Sequence, residues 1–220
     1  LNLENTGNAD VITEISANNA ERAFIMGGTT EQGLAIPQGA KPSLSSDGAH
    51  IMLQISGGKP VDGTLIPLNI NFENAGAVAI KAVIQKAGGI TAETNEDDAK
   101  MDHSSHGGDA MFNLHDPASA PKIEMSVTPE ADNKWAVEVT TDNFNFFEPK
   151  AEPLKHEDGQ GHGHLYLNGL KLQRMYNGST IIGALPVGKH TVSVTLNTND
   201  HQAYAVHGKV VSASVDIEVK

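Results

Sequence analysis

Thr64-Leu65-Ile66-Pro67-Leu68-Asn69-Ile70-Asn71-Phe72 alternates strictly, with apolar side chains at 66, 68, 70 and 72. Successive residues of a strand face opposite ways, so this period of two predicts a strand with one face sunk in a core. Pro67 has no N–H to give and falls on the other face, where an edge or a bulge suits it. Shorter runs bounded by Gly, Asn and Asp precede it: Leu1 to Asn5, Val11 to Ser16, Arg22 to Met26, Leu34 to Ile36 and His50 to Ile55. Val78 to Gln85 follows and is mostly apolar, which predicts a core strand. Periodicity alone would also admit a short buried helix there, but the flanking turns favour the strand.

Residues 122–220 repeat the style without repeating the sequence. Strands are expected at Lys122 to Val127, Trp135 to Thr141, His164 to Asn168, Lys171 to Tyr176, His190 to Asn197 and Lys209 to Val219. Asn168-Gly169 favours a tight two-residue hairpin between the third and fourth of these. No helical period is sustained anywhere, so the fold class expected is all-β. Residues 1–86 suit an antiparallel sandwich or barrel, and residues 122–220 an immunoglobulin-like or cupredoxin-like β-sandwich. Between them, residues 87–121 carry Glu93, Glu96, Asp97 and Asp98, then two Met and two His within Met101 to Met111, with His115 just beyond. Few apolar residues among acids, Gly and Ser read as a linker, either a solvated spacer or a metal-collecting arm.

Composition excludes several function classes. With 15 Lys and Arg against 27 Asp and Glu, the formal net charge is -12, which disfavours a phosphate backbone as partner. There is no cysteine, hence no disulfide, thiolate metal cage, iron-sulfur cluster or thiol nucleophile. No run approaches the roughly 18 apolar residues of a membrane span. Leu1 to Asn5 reads as a strand already under way rather than a signal peptide, so residues upstream are expected. No nucleophile elbow, phosphate loop or His-Glu-x-x-His pattern occurs, and no enzymatic activity is expected.

The chemistry concentrates in two strands. In Gly48-Ala49-His50-Ile51-Met52-Leu53-Gln54-Ile55, His50 and Met52 share a face. Imidazole nitrogen beside thioether sulfur suits copper, and the thioether favours Cu(I). The plainer alternative is a gap-filling Met52 and a His50 at a wet strand end with a backbone partner. In His162-Gly163-His164 two imidazoles project together, and Gly163 is expected to admit a neighbouring backbone. His201, in a polar turn, is the natural third member, with His156, His207 and Met175 behind it. Such an all-nitrogen set suits Cu(II) or Zn(II). Here the alternative is structural, with His164 donating to a carbonyl and Asp200 shaping a turn.

The first 86 residues resemble the periplasmic copper chaperone family written PCuAC. The resemblance is carried by Leu3-Glu4-Asn5-Thr6-Gly7 with Asp10, by Ile36-Pro37-Gln38-Gly39 and by Gly48-Ala49-His50-Ile51-Met52-Leu53. It continues through Gly63-Thr64-Leu65-Ile66-Pro67-Leu68-Asn69-Ile70-Asn71-Phe72-Glu73 with Ala75-Gly76. It implies a cupredoxin-like Greek-key barrel holding Cu(I) at one exposed end, with His50 and Met52 as the closing His-x-Met. The family has an earlier His and an earlier Met, and only Met26 is available here for both. Counted from Asp10, Met26 stands at the His; counted back from Ile36-Pro37, it stands nearer the Met. Met101, His103, His106 or Met111 could supply a fourth ligand. Residues 122–220 resemble a sandwich domain of extracytoplasmic bacterial proteins, through Gly161 to Gly169 and Asn199-Asp200-His201, with no chemistry implied. The function expected is a periplasmic or extracytoplasmic copper carrier that delivers to an extracytoplasmic acceptor protein. The rival is a metal-free adhesion or assembly module.

Overall fold

The computed structural model describes residues 1–18, 20–27, 33–45, 48–55, 61–84, 111–148 and 156–220. They form seventeen strands: β1 (Asp10–Ala17), β2 (Ala20–Met26), β3 (Leu34–Ile36), β4 (His50–Ile55), β5 (Leu65–Phe72), β6 (Gly76–Val83), β7 (Met111–Leu114), β8 (Lys122–Pro129), β9 (Trp135–Asp142), β10 (Asn145–Phe146), β11 (Gln160–Leu167), β12 (Leu170–Met175), β13 (Ser179–Ile182), β14 (Gly188–Thr198), β15 (Ala203–Val206), β16 (Lys209–Val210) and β17 (Ser212–Val219). The only helical element among the described residues is a 3-10 turn at Ala131–Asn133. The all-β class expected from the alternation is therefore observed.

Four strands, in the order β3-β1-β5-β6, make one antiparallel sheet, and β2 and β4 pair as a separate ribbon. A three-stranded sheet runs β13-β9-β8. The largest sheet has β11 and β14 at its centre, with β10 and β12 on β11, β15 and β17 on β14, and β7 and β16 on β15. In β5, Ile66, Leu68 and Ile70 are buried while the residues between them are not, as the period of two demands. Pro67 sits where pairing with β1 has run out, one residue past the last partners Ala17 and Leu68. The missing N–H thus interrupts no ladder on that side.

Apolar residues of both halves share one continuous core. Ile12, Leu34 and Ile70 belong to the same cluster as Trp135, Leu165, Leu167 and Val194. Backbone bonds cross as well: Gln38 N–H donates to the Ala184 carbonyl (2.9 Å), Ser43 N–H to Lys171 (2.8 Å) and Ala49 N–H to Gly169 (2.6 Å). Asp10, conspicuous in the opening motif, is structural. Its carboxylate accepts the N–H groups of Val11, Asn74 and Ala75 at 2.8–2.9 Å, tying β1 to the β5–β6 turn. Burial would raise its pKa, but these bonds outweigh burial and hold it below the usual carboxylate range.

Several expectations need correction. β6 is an edge strand, not a core strand; Val78 and Val83 are 41% and 54% exposed because only β5 pairs with it. Leu1 to Asn5 forms no full strand, only a bridge at Asn2 and alternate bonds to residues 40–44. β7 lies inside the stretch read as linker, yet pairs in parallel with β15. β10, β13 and β15 had no forecast, being too short to display a period.

The close backbone approach falls at Gly161 rather than Gly163. A Cβ on Gly161 would overlap the Asn197 carbonyl oxygen, whereas one on Gly163 would meet side chains, Met175 Cβ and Val194 Cγ1 at 3.3 Å. Gly161→Ala should therefore cost at least about 2 kcal/mol, against at most about 0.5 for the open position Gly7→Ala. Urea unfolding of the two variants checks this, and equal small losses would disprove the overlap.

Candidate metal centre

β11 reads Gln160-Gly161-His162-Gly163-His164-Leu165-Tyr166-Leu167, and every residue after Gln160 is buried. Pairing with β14 sets Val194 opposite Leu165 and Val192 opposite Leu167, so this face enters the core. The other face is polar. It carries His162, His164 and Tyr166, with Asn197 and Thr195 opposite the two histidines on β14, and Arg174 opposite His164 on β12. Such a face ordinarily meets water. Here His162 and His164 are each only 1% exposed.

His201 completes the group from the turn that joins β14 to β15. Thr198 N–H donates to the Gln202 carbonyl (2.8 Å), His201 N–H to Thr198 (3.1 Å), and His201 adopts φ 69°. This is the left-handed position after a tight turn, where glycine is the easy occupant and another residue costs about 1–2 kcal/mol. Asn199 Nδ2 donates to Gln160 Oε1 (2.9 Å), fixing the turn against the start of β11. Asp200 accepts from Thr198 Oγ1 and Gln202 Nε2. Burial pushes its pKa up, and those two bonds more than reverse it.

The nitrogens converge. His162 Nε2 lies 2.9 Å from His164 Nε2 and 3.2 Å from His201 Nδ1, and one ligand atom from each ring lies within 4.8 Å of the others. Metal–nitrogen bonds of about 2.05 Å put two nitrogens about 2.9 Å apart at a right angle and about 3.3 Å apart at the tetrahedral angle. Both contacts of His162 fall in that range. The group can hold a metal ion, with His201 closing toward His164. Tyr166 Oη lies 3.3 Å from His164 Nδ1, where it can orient the ring from behind, as outer partners of metal-bound imidazoles do. His162 Nδ1 is buried without a hydrogen-bond partner among the described residues.

The donors of the first half also come together, with Met26 and Met52 exposed and His50 half-buried. Met26 and His50 are directly opposite in the β2–β4 ribbon, and Phe24 is opposite Met52. With Met52 two residues beyond His50, all four side chains share one face. Met26 and Met52 are 37% and 44% exposed. His50 Nδ1 is 3.0 Å from the Gly48 carbonyl oxygen, so that nitrogen donates there and Nε2 is the one left to take a ligand.

Other candidates fall elsewhere. Met175 is buried behind Gly163 on the core face, so it cannot join the histidines. His156 pairs with Asp158 at 2.8 Å, and its ring lies tilted against Phe112 at 4.1 Å between centroids. His207 and Gly208, both at positive φ, make the turn between β15 and β16. Met111 is exposed at the start of β7 and partners Ala203, and His115 is exposed just past that strand. Met101, His103 and His106 lie outside the described residues. Sequence reasoning overlooked Tyr166, although its place two residues beyond His164 put it on the same face. Arg174 and Lys171 could come only from the β11–β12 register. No protein-family model, curated protein or solved structure matches the chain.

Burial, reinforced by His201, Arg174 and Lys171, pushes the His162 imidazole down to about 3. A solvated His titrates near 6.5, so between these values the unfolded chain binds a proton that the folded chain refuses. The resulting stability is complete above about pH 6.5 and is lost as pH falls toward about 3. Urea midpoints at pH 7.5 and 4 should therefore drop less in His162→Gln than in the wild type. Equal drops would remove His162 as the cause.

Proposed function

We propose that this chain is a copper-binding protein of the periplasm or another extracytoplasmic space, receiving Cu(I) and passing it to an acceptor protein. Met26, His50 and Met52 are its exchange site. The observation that carries this reading is the β2–β4 register, which sets Met26 against His50 and leaves Met52 on the same exposed face. Two thioethers and one imidazole form a soft set that prefers Cu(I) to hard cations. Their exposure fits a carrier, because an incoming acceptor must displace these ligands one at a time. Phe24, 40% exposed beside Met52, extends the site as a small apolar patch where that acceptor can seat. The family resemblance of residues 1–86 points the same way.

Anaerobic Cu(I) competition on the intact chain tests the reading. The background should be His201→Gly, so that the buried imidazoles do not contribute. Replacing His50 and Met52 together by Ala should weaken Cu(I) binding by about 100-fold or more, equal to about 2.7 kcal/mol. Met26→Leu should weaken it by a smaller factor. Unchanged affinity in the double variant would overturn the assignment and leave the metal-free adhesion or assembly module as the better account.

A further inference from the structure

His162, His164 and His201 differ from the ribbon set in donor, burial and surroundings, and those surroundings indicate what the centre takes. His164 and His201 line the wall of a cavity of about 480 Å³, together with Lys41, Lys171, Arg174 and Ser43. His162, as buried as His164, does not line it. An ion held by the three rings would therefore have nitrogen at its back and the cavity in front. Three neutral imidazoles leave a divalent ion with its full charge. The cavity adds more positive charge, in a chain whose net charge is -12. Arg174 stands opposite His164 in the β11–β12 pairing, and Lys171 opposite Tyr166. Lys41 reaches the same cavity while paired with Glu4 at 2.7 Å. A bare cation is poorly served by such walls, whereas an ion carrying an anion is well served.

We propose that His162, His164 and His201 form a second metal centre, for Cu(II) or Zn(II), whose open position faces this cavity and takes a small anionic oxygen ligand such as a carboxylate. Nitrogen-only ligation is borderline rather than soft and matches those two ions. Arg174 and Lys171 hold the anion, and the metal completes its coordination with it. The His201 backbone gives independent support. The turn holds His201 at a left-handed φ with its Nδ1 3.2 Å from His162 Nε2, so the loop itself presents the third ring to the pair on β11.

The test uses the intact chain. Cu(II) titration followed by electron paramagnetic resonance should show one equivalent fewer bound in His201→Gly and in His164→Asn than in the wild type. His201→Gly should unfold at the same or a higher temperature, since it relieves the turn; a loss of binding there is then not a loss of fold. Azide, an anion that gives a charge-transfer band on binding Cu(II), probes the open position, and formate should displace it. Lys171→Gln with Arg174→Gln should keep the Cu(II) equivalent but weaken azide and formate by about tenfold or more. If His201→Gly binds as much Cu(II) and Zn(II) as the wild type, the centre is refuted. If the metal binds but azide affinity ignores the two cation substitutions, the anion assignment is refuted. Both readouts are separate from Cu(I) binding at His50 and Met52, so either proposal can fail alone.

Discussion

Burial of both faces of β11 is the constraint on which the rest of the structure depends. One face supplies Leu165 and Leu167 to the common core, and only apolar neighbours fit there. The opposite face is closed by His201, by Tyr176, whose ring lies 5.7 Å from that of His162, and by Gly48, packed against Tyr166. A polar group taken from water costs free energy unless it finds a partner. The imidazoles find one another. Strand alternation sets His162 and His164 on one face, while on the other the backbone crowds Gly161 and core side chains crowd Gly163.

From that constraint come two donor sets of opposite character. The ribbon set is exposed, soft and carried by a two-stranded element, so its ligands can leave one by one. The β11 set is buried, nitrogenous and braced by Tyr166 behind His164 and by the Asn199 to Gln160 bond behind His201. A braced set changes geometry reluctantly, which favours retention over exchange. On the functions proposed above, fast transfer and firm holding would make incompatible demands on exposure, and two sites of different softness would meet both.

Alternation made most of the fold legible. Strands with six or more residues and one buried face, such as β5 and β14, declared themselves through their period. Several strands of two to four residues, β10, β13 and β15 among them, could not, because a period needs length; the three-residue β3 was read from its apolar run and flanking turns. Val78 to Val83 misled for a physical reason: apolar composition reports what could be buried, and sheet order decides what is. The same division holds at the sites. Pairs two residues apart, His50 with Met52 and His162 with His164, were visible because they lie on one strand. The partnership of Met26 with His50 depends on cross-strand register, which the sequence does not display and the ribbon pairing shows. The cations facing the buried histidines depend on a register broken by a bulge between Leu165 and Tyr166, which no local pattern announces.

The two sites also share a piece of backbone. Ser43 and Ser45 line the cavity in front of His164, Gly48 rests on Tyr166, and the chain then enters β4 at His50. Ala49 N–H, bonded to the Gly169 carbonyl, pins this short path to the β11–β12 turn. If both proposed sites take their ions, any coupling between them is reciprocal: the factor by which an ion at the buried histidines would change Cu(I) affinity at the ribbon equals the factor by which Cu(I) would change the affinity of the buried histidines.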